Sequence, residues 1–112
     1  MENMNEFCKI DALIRSEVLE KVELRLQELG VHGYSVMTVK GCGEYTDFYS
    51  RECMTKHARV EIYTSAVHAD AIAQAIMDVA HSGNKGDGIV AVQPVEKIYR
   101  IRLRADMQAG DI

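Results

Sequence analysis

The chain has 112 residues, 47% of them hydrophobic and 27% charged, with a formal net charge of −4. It is long enough for one core but not two, too apolar to be disordered, and too acidic for general attraction to nucleic acid or an anionic membrane. No run reaches transmembrane length, the opening Met-Glu-Asn-Met-Asn-Glu has no signal-peptide pattern, and three cysteines without a secretory signal fit a reducing compartment, so a cytoplasmic protein is expected.

From Phe7 to Ile14 the apolar Cys8, Ile10, Ala12 and Ile14 alternate with Lys9 and Asp11, the pattern of a first strand. Ser16 offers an N-cap to a helix over about Glu17 to Leu29, whose Val18, Leu19, Val22, Leu26 and Leu29 recur at helical spacing before a stop at Gly30. A second strand is expected from about Gly33 to Val39. After Gly41 and Gly43 comes a polar segment, Glu44 to Lys56, without a period; a loop of that length points to function rather than plain connection. Strand three is read at Ala58 to Tyr63, and Ser65 caps a second helix with an apolar stripe of Ala69, Ile72, Ala73, Ile76, Val79 and Ala80. Strand four is read at Ile89 to Val92 and a further strand at Glu96 to Leu103, with a fraying tail beyond. The order is β-α-β-β-α-β, an α+β ferredoxin-like sandwich in a single domain of residues 1–112. Helices on one side leave the other sheet face bare, so self-association is expected.

The stretch Ser82 to Arg104 carries the chemistry. Gly83, Gly86 and Gly88 fall within six residues, and glycine lets successive backbone N–H groups approach an anion. The alternation that follows would put Arg100, Arg102 and Arg104 on one strand face, where guanidinium forks suit phosphate oxygens. The rival reading is a plain turn and a solvated edge strand.

These residues resemble the PII signalling proteins over most of the chain, from Lys9-Ile10-Asp11-Ala12-Leu13-Ile14 to Arg100-Ile101-Arg102. The best-matched stretches are Val39-Lys40-Gly41-Cys42-Gly43, Arg59-Val60-Glu61-Ile62 and Ser82-Gly83-Asn84-Lys85-Gly86-Asp87-Gly88. The resemblance implies a homotrimer that binds an adenine nucleotide between subunits and engages a target, often a membrane transporter, through a mobile T-loop (about 43–57 here). It implies that the B-loop (about 82–89) holds phosphates through Gly83, Lys85, Gly86, Asp87 and Gly88, together with Arg100 and Arg102. Gly33, Tyr34, Ser35, Gly41, Gly43 and Tyr63 would complete the nucleotide site. Glu44, Tyr45, Phe48, Tyr49, His57 and Arg59 would serve the partner or a second ligand. The C-terminal tail is about 103–112. No cofactor, catalytic residue, metal, nucleic acid or direct membrane insertion is expected.

The chain departs from the family pattern in places. The usual lysine after the B-loop is Ile89, which removes a cation from the phosphate end and favours a less charged nucleotide, ADP or AMP over ATP. Glu44-Tyr45 stands where the family has a glutamine used for magnesium, ATP and 2-oxoglutarate, and His57 aligns with the lysine closing that site. The T-loop is shorter than in nitrogen-regulating members. These features are similar to divergent members linked to inorganic-carbon uptake and carboxysomes, with bicarbonate as a candidate second ligand.

Cys42, Cys53 and His57 bracket the long loop, but their spacing matches no zinc motif, and a Cys42–Cys53 disulfide depends on geometry the sequence does not give. Neither cysteine has an evident orienting group for catalysis. His32, His68 and His81 read as solvated. Tyr45, Phe48 and Tyr49 are partner anchors or fold back on the domain. The competing class is a metal-binding trimer similar to the CutA proteins, against which Arg100 and Arg102 argue.

Overall fold

A computed structural model describes residues 6–41 and 55–111. Strand β1 (Phe7–Arg15) is followed by a 3-10 turn at Ser16–Val18 and by helix α1 (Leu19–Glu28). Strands β2 (Ser35–Gly41) and β3 (Thr55–Ser65), helix α2 (Ala66–Ala80) and strand β4 (Gly88–Val95) follow. The four strands form one sheet in the order β2-β3-β1-β4. All its pairings are antiparallel: Ile10 lies opposite Ile62 and Val92, Ile14 opposite Ala58 and Gly88, and Ser35 opposite Glu61. This is the ferredoxin-like arrangement that the element order predicts.

Alternation explains where the core lies. Ile10, Ala12 and Ile14 from β1 and Ala58, Val60 and Ile62 from β3 share one face, where they pack against Val22 and Leu26 of α1 and Ala69, Ile72 and Ile76 of α2. Burying each large aliphatic side chain contributes about 1.5–3 kcal/mol relative to leaving it in water. Helix α1 stops where expected: Gly30 takes φ +83°, its N–H donates to the Gln27 carbonyl at 3.0 Å, and Val31 N–H donates to the Leu26 carbonyl at 2.9 Å. That bond pair is a Schellman closure, which favours glycine because the backbone is left-handed there.

Several expectations need correction. Ser16 lies inside the 3-10 turn, and Val18 stands at the N-cap of α1 without a side-chain bond. Ser65 does precede α2, but its hydroxyl makes no cap and is buried without a partner among the described atoms. β3 begins at Thr55, so residues 55–57 belong to strand rather than loop. The face away from the helices is not simply apolar. Asp11 and Glu61 face each other across β1 and β3, and Arg59 and Lys9 lie among them. Arg59 grips Asp11 with both ends of its fork, at 2.8 and 2.6 Å, and reaches Glu61 at 3.1 Å, while Lys9 lies 3.6 Å from Glu61.

The largest departure is at the C-terminus. The expected strand Glu96 to Leu103 is replaced by a small separate hairpin of β5 (Tyr99–Arg100) and β6 (Ala105–Asp106), with residues 101–104 forming its turn. Arg104 takes φ +52° to close it. Arg100, Arg102 and Arg104 therefore do not line one strand face. The residues beyond are tied in rather than frayed, with Met107 N–H donating to the Ile98 carbonyl at 2.8 Å and a 3-10 turn at Ala109–Asp111.

Candidate functional site

The turn between α2 and β4 is built around one carboxylate. Gly83, Gly86 and Gly88 all take positive φ, at +90°, +94° and +109°, so the chain can reverse within a few residues. Asp87 points back into the turn and accepts from the Ser82 N–H at 2.8 Å, the Gly83 N–H at 2.9 Å and the Ser82 hydroxyl. Arg15 adds a longer contact from Nε at 3.4 Å. Burial alone would raise this carboxyl's pKa. The donors from Ser82 and Gly83, with Arg15, outweigh burial and hold it well below the usual carboxylate range. The first two amides of the turn are therefore taken by an anion the chain itself supplies. Gly88 is glycine for a harder reason: a Cβ there would lie 1.7 Å from the Leu13 carbonyl oxygen.

Two side chains from the neighbouring strands reach the other half of the turn. Arg15 and His57 are direct cross-strand partners on β1 and β3. Arg15 Nη2 donates to the Lys85 carbonyl. His57, only 1% exposed, places Nε2 3.1 Å from the Gly86 carbonyl oxygen. The expected second-ligand residue His57 thus sits against the B-loop, and Arg59 is engaged with Asp11 and Glu61. Arg59's hydrogen bond holds the Asp11 carboxyl below its ordinary range against an opposing effect of burial. Sequence reasoning missed Arg15; its signal is a cation at the strand end, next to the last core residue.

The other expected residues lie elsewhere. Gly33, Tyr34, Ser35 and Tyr63 line a cavity of about 720 Å³, closed on further sides by Ile72 of α2 and by Ile98 and Met107 at the base of the C-terminal hairpin. Tyr34 is tethered to α1, its hydroxyl donating to Glu23 at 2.9 Å; that bond, with burial, raises the phenol's pKa. Tyr63 is half exposed, with the Lys9 ammonium 5.9 Å from its ring centre. Arg100 lies on the two-residue strand β5 and Arg102 in the hairpin turn beyond it, the latter exposed. Ile89, opposite Leu13, is half exposed and carries no charge to the turn.

Within one chain these two groups stand apart. Gly88 pairs with Ile14 at one end of β1, while Tyr63 pairs with Lys9 toward the other, about 17 Å away at roughly 3.4 Å per residue. Gly41 closes β2 as a backbone position. Gly43, Glu44, Tyr45, Phe48 and Tyr49, with Cys42 and Cys53, lie outside the described residues. Among the described residues no three His, Cys, Asp or Glu side chains group as metal ligands, and no helix is long and apolar enough to cross a membrane.

Comparison with known proteins gives consistent results. The family model described as "Nitrogen regulatory protein P-II" matches residues 7–105. The chain is 35% identical over 104 residues to the nitrogen regulatory protein P-II of Cyanidium caldarium, covering 86% of this chain and 91% of the relative. It is 34% identical over 102 residues to that of Rhizobium meliloti, covering 84% and 90%. Among solved structures, Arabidopsis thaliana PII bound to citrate superposes with a TM-score of 0.79 at 23% identity, over 93% of this chain and 88% of that one, which supports the fold.

Proposed function

We propose that this chain, which belongs to the nitrogen regulatory protein P-II family, is a non-catalytic homotrimeric regulator that binds an adenine nucleotide at the boundary between subunits and signals to a target protein. One observation carries the reading. The glycine turn at 82–88 and the cavity lined by Gly33, Tyr34, Ser35 and Tyr63 lie at different ends of the sheet of one protomer, so a nucleotide using both needs a second copy to bring them together. On this reading Arg100 and Arg102, on the hairpin whose base borders the cavity, would serve the phosphates brought by a neighbouring copy's turn. The family match replaces the CutA-like metal-binding alternative.

The ligand follows from charge. The turn holds one carboxylate of its own, and Ile89 adds no cation, so ADP or AMP suits it better than ATP. A short T-loop without the glutamine fits regulation of a transporter or enzyme of inorganic-carbon metabolism, with bicarbonate as second ligand, better than 2-oxoglutarate sensing. Ligand binding would act by differential affinity for pre-existing loop conformations.

The test is calorimetric titration with ATP, ADP and AMP, each with and without bicarbonate or 2-oxoglutarate, on protein whose mass has been fixed by light scattering. A trimer that binds ADP or AMP more tightly than ATP, and more tightly still with bicarbonate, is the expected outcome. ATP binding strengthened by 2-oxoglutarate would return the protein to nitrogen control. A monomer binding ADP at full strength would remove the boundary site. Arg100→Ala is expected to weaken ADP binding about tenfold or more without lowering thermal stability, since charge-assisted bonds to phosphate are worth about 1.5–3 kcal/mol. Unchanged ADP affinity in the variant would take Arg100 out of the site.

A further inference from the structure

We propose that Arg15 and His57 act together as positioning residues that fix the backbone of the 82–88 turn so that the partly exposed Asp87 amide faces an incoming anion; this rests on the nucleotide reading above. The two are cross-strand partners, and each holds one of two consecutive carbonyls: Arg15 that of Lys85, His57 that of Gly86 at 3.1 Å. A carbonyl oxygen only accepts, so His57 Nε2 must carry a proton.

Peptide planarity then fixes the rest. The chain has no cis bonds among its described residues, and in a trans peptide the C=O and the following N–H point in opposite directions. With the Lys85 carbonyl turned toward Arg15, the Gly86 N–H points away from it. With the Gly86 carbonyl turned toward His57, the Asp87 N–H points away as well. Gly86, at φ +94°, is itself buried and Asp87 is partly exposed, so the Asp87 amide is the one left to line a concavity for a phosphate or carboxylate oxygen.

The Asp87 carboxylate does not fill that concavity. It turns toward the opposite half of the turn, onto Ser82 and Gly83, where Arg15 Nε offsets part of its charge. Arg15 therefore serves both halves, anchoring a carbonyl with one nitrogen and neutralising the internal anion with another. His57 is 1% exposed, so its bond to Gly86 is shielded from water, and removing it would strand a polar carbonyl. Its place just inside the start of β3 also ties the turn to that strand.

The experiment compares ADP with adenosine, which shares the base and ribose but lacks phosphate, on the full-length protein. His57→Leu is expected to weaken ADP about tenfold while leaving adenosine within about twofold, and His57→Gln, which keeps a side-chain N–H donor, is expected to recover most of the loss. Arg15→Met, at a partly exposed site, should give the same phosphate-selective loss if His57→Leu does not fold. ADP affinity unchanged in the variants, or ADP and adenosine weakened equally, overturns the positioning role while the nucleotide reading stands. A parent protein that binds neither ADP nor ATP overturns both.

Discussion

Gly88→Ala is expected to cost about 3 kcal/mol or more and to lower the unfolding midpoint by about 10 °C or more, because it strains the backbone and overpacks the sheet at once. The added methyl would sit 1.7 Å from the Leu13 carbonyl oxygen, 2.8 Å from the Leu13 carbonyl carbon and 3.3 Å from Ile14 Cα. These are backbone atoms of the central strand, so no side-chain rotation relieves the contact. The residue also holds φ +109°, which alanine rarely adopts. Relief requires β4 to move off β1 at the row that sets the exit of the B-loop, so ligand binding should fall with stability. Gly33→Ala is the control: its Cβ meets nothing within 4 Å, and the change should stay within about 0.5 kcal/mol. Thermal melts of both variants at one protein concentration decide it. A Gly88→Ala midpoint within two or three degrees of the parent (roughly half a kcal/mol) would mean that β4 does not approach β1 this closely.

Asp87→Asn is expected to cost about 2–3 kcal/mol despite its near-identical shape, because hydrogen bonds to a charged acceptor are the stronger kind. Both carboxylate oxygens accept: one from the Ser82 hydroxyl and Arg15, the other from the Ser82 and Gly83 amides. An asparagine must turn its NH₂ toward one of those donor sets. The same group makes stability depend on acid. Its folded pKa lies below the unfolded value of about 3.9, so the unfolded chain takes up the proton first as pH falls. The contribution is fully present above about pH 5, shrinks as pH drops through the unfolded pKa, and is gone below the folded one. Asp11, held down by Arg59, adds to the same slope. Urea midpoints measured from pH 6 to pH 3 should fall steeply in the parent and less steeply in Asp87→Asn. Parallel curves would show that this carboxylate does not govern the acid response.

How far the structure was legible follows from how local each signal is. The alternation of Ile10, Ala12 and Ile14 and the helical spacing of Ile72, Ala73 and Ile76 name their core faces directly, because burial on one face is what produces the period. Gly30 could be read as a helix stop because its role needs only its own left-handed backbone. The C-terminal arginines misled for the opposite reason: Tyr99 to Arg104 alternates as a strand does, yet among the described residues it pairs only with Ala105 and Asp106, and the segment closes on itself. In the B-loop the glycines were legible and the occupant was not. Asp87 follows Ser82 at a spacing that lets its side chain reach back to the turn's first amides, but the carbonyls of the later residues Lys85 and Gly86 are held by Arg15 and His57 from distant strands, which no local pattern announces. His57 looked like a loop residue because it borders a polar segment, and only the strand register reveals that it is interior.

The strand order carries a consequence for how the protein is made. β1 lies in the middle of the sheet, yet both of its partners come late in the chain, with Phe7 opposite Ser65 on one side and Val95 on the other. A nascent chain therefore emerges with its future central strand unpaired on both edges, and neither helix can bury its apolar stripe on a finished surface until β4 has been synthesised. Closing such distant pairings is the slow part of folding. Ile10, Ala12 and Ile14 would stay exposed over most of synthesis, which makes the first strand the segment most in need of protection on the ribosome.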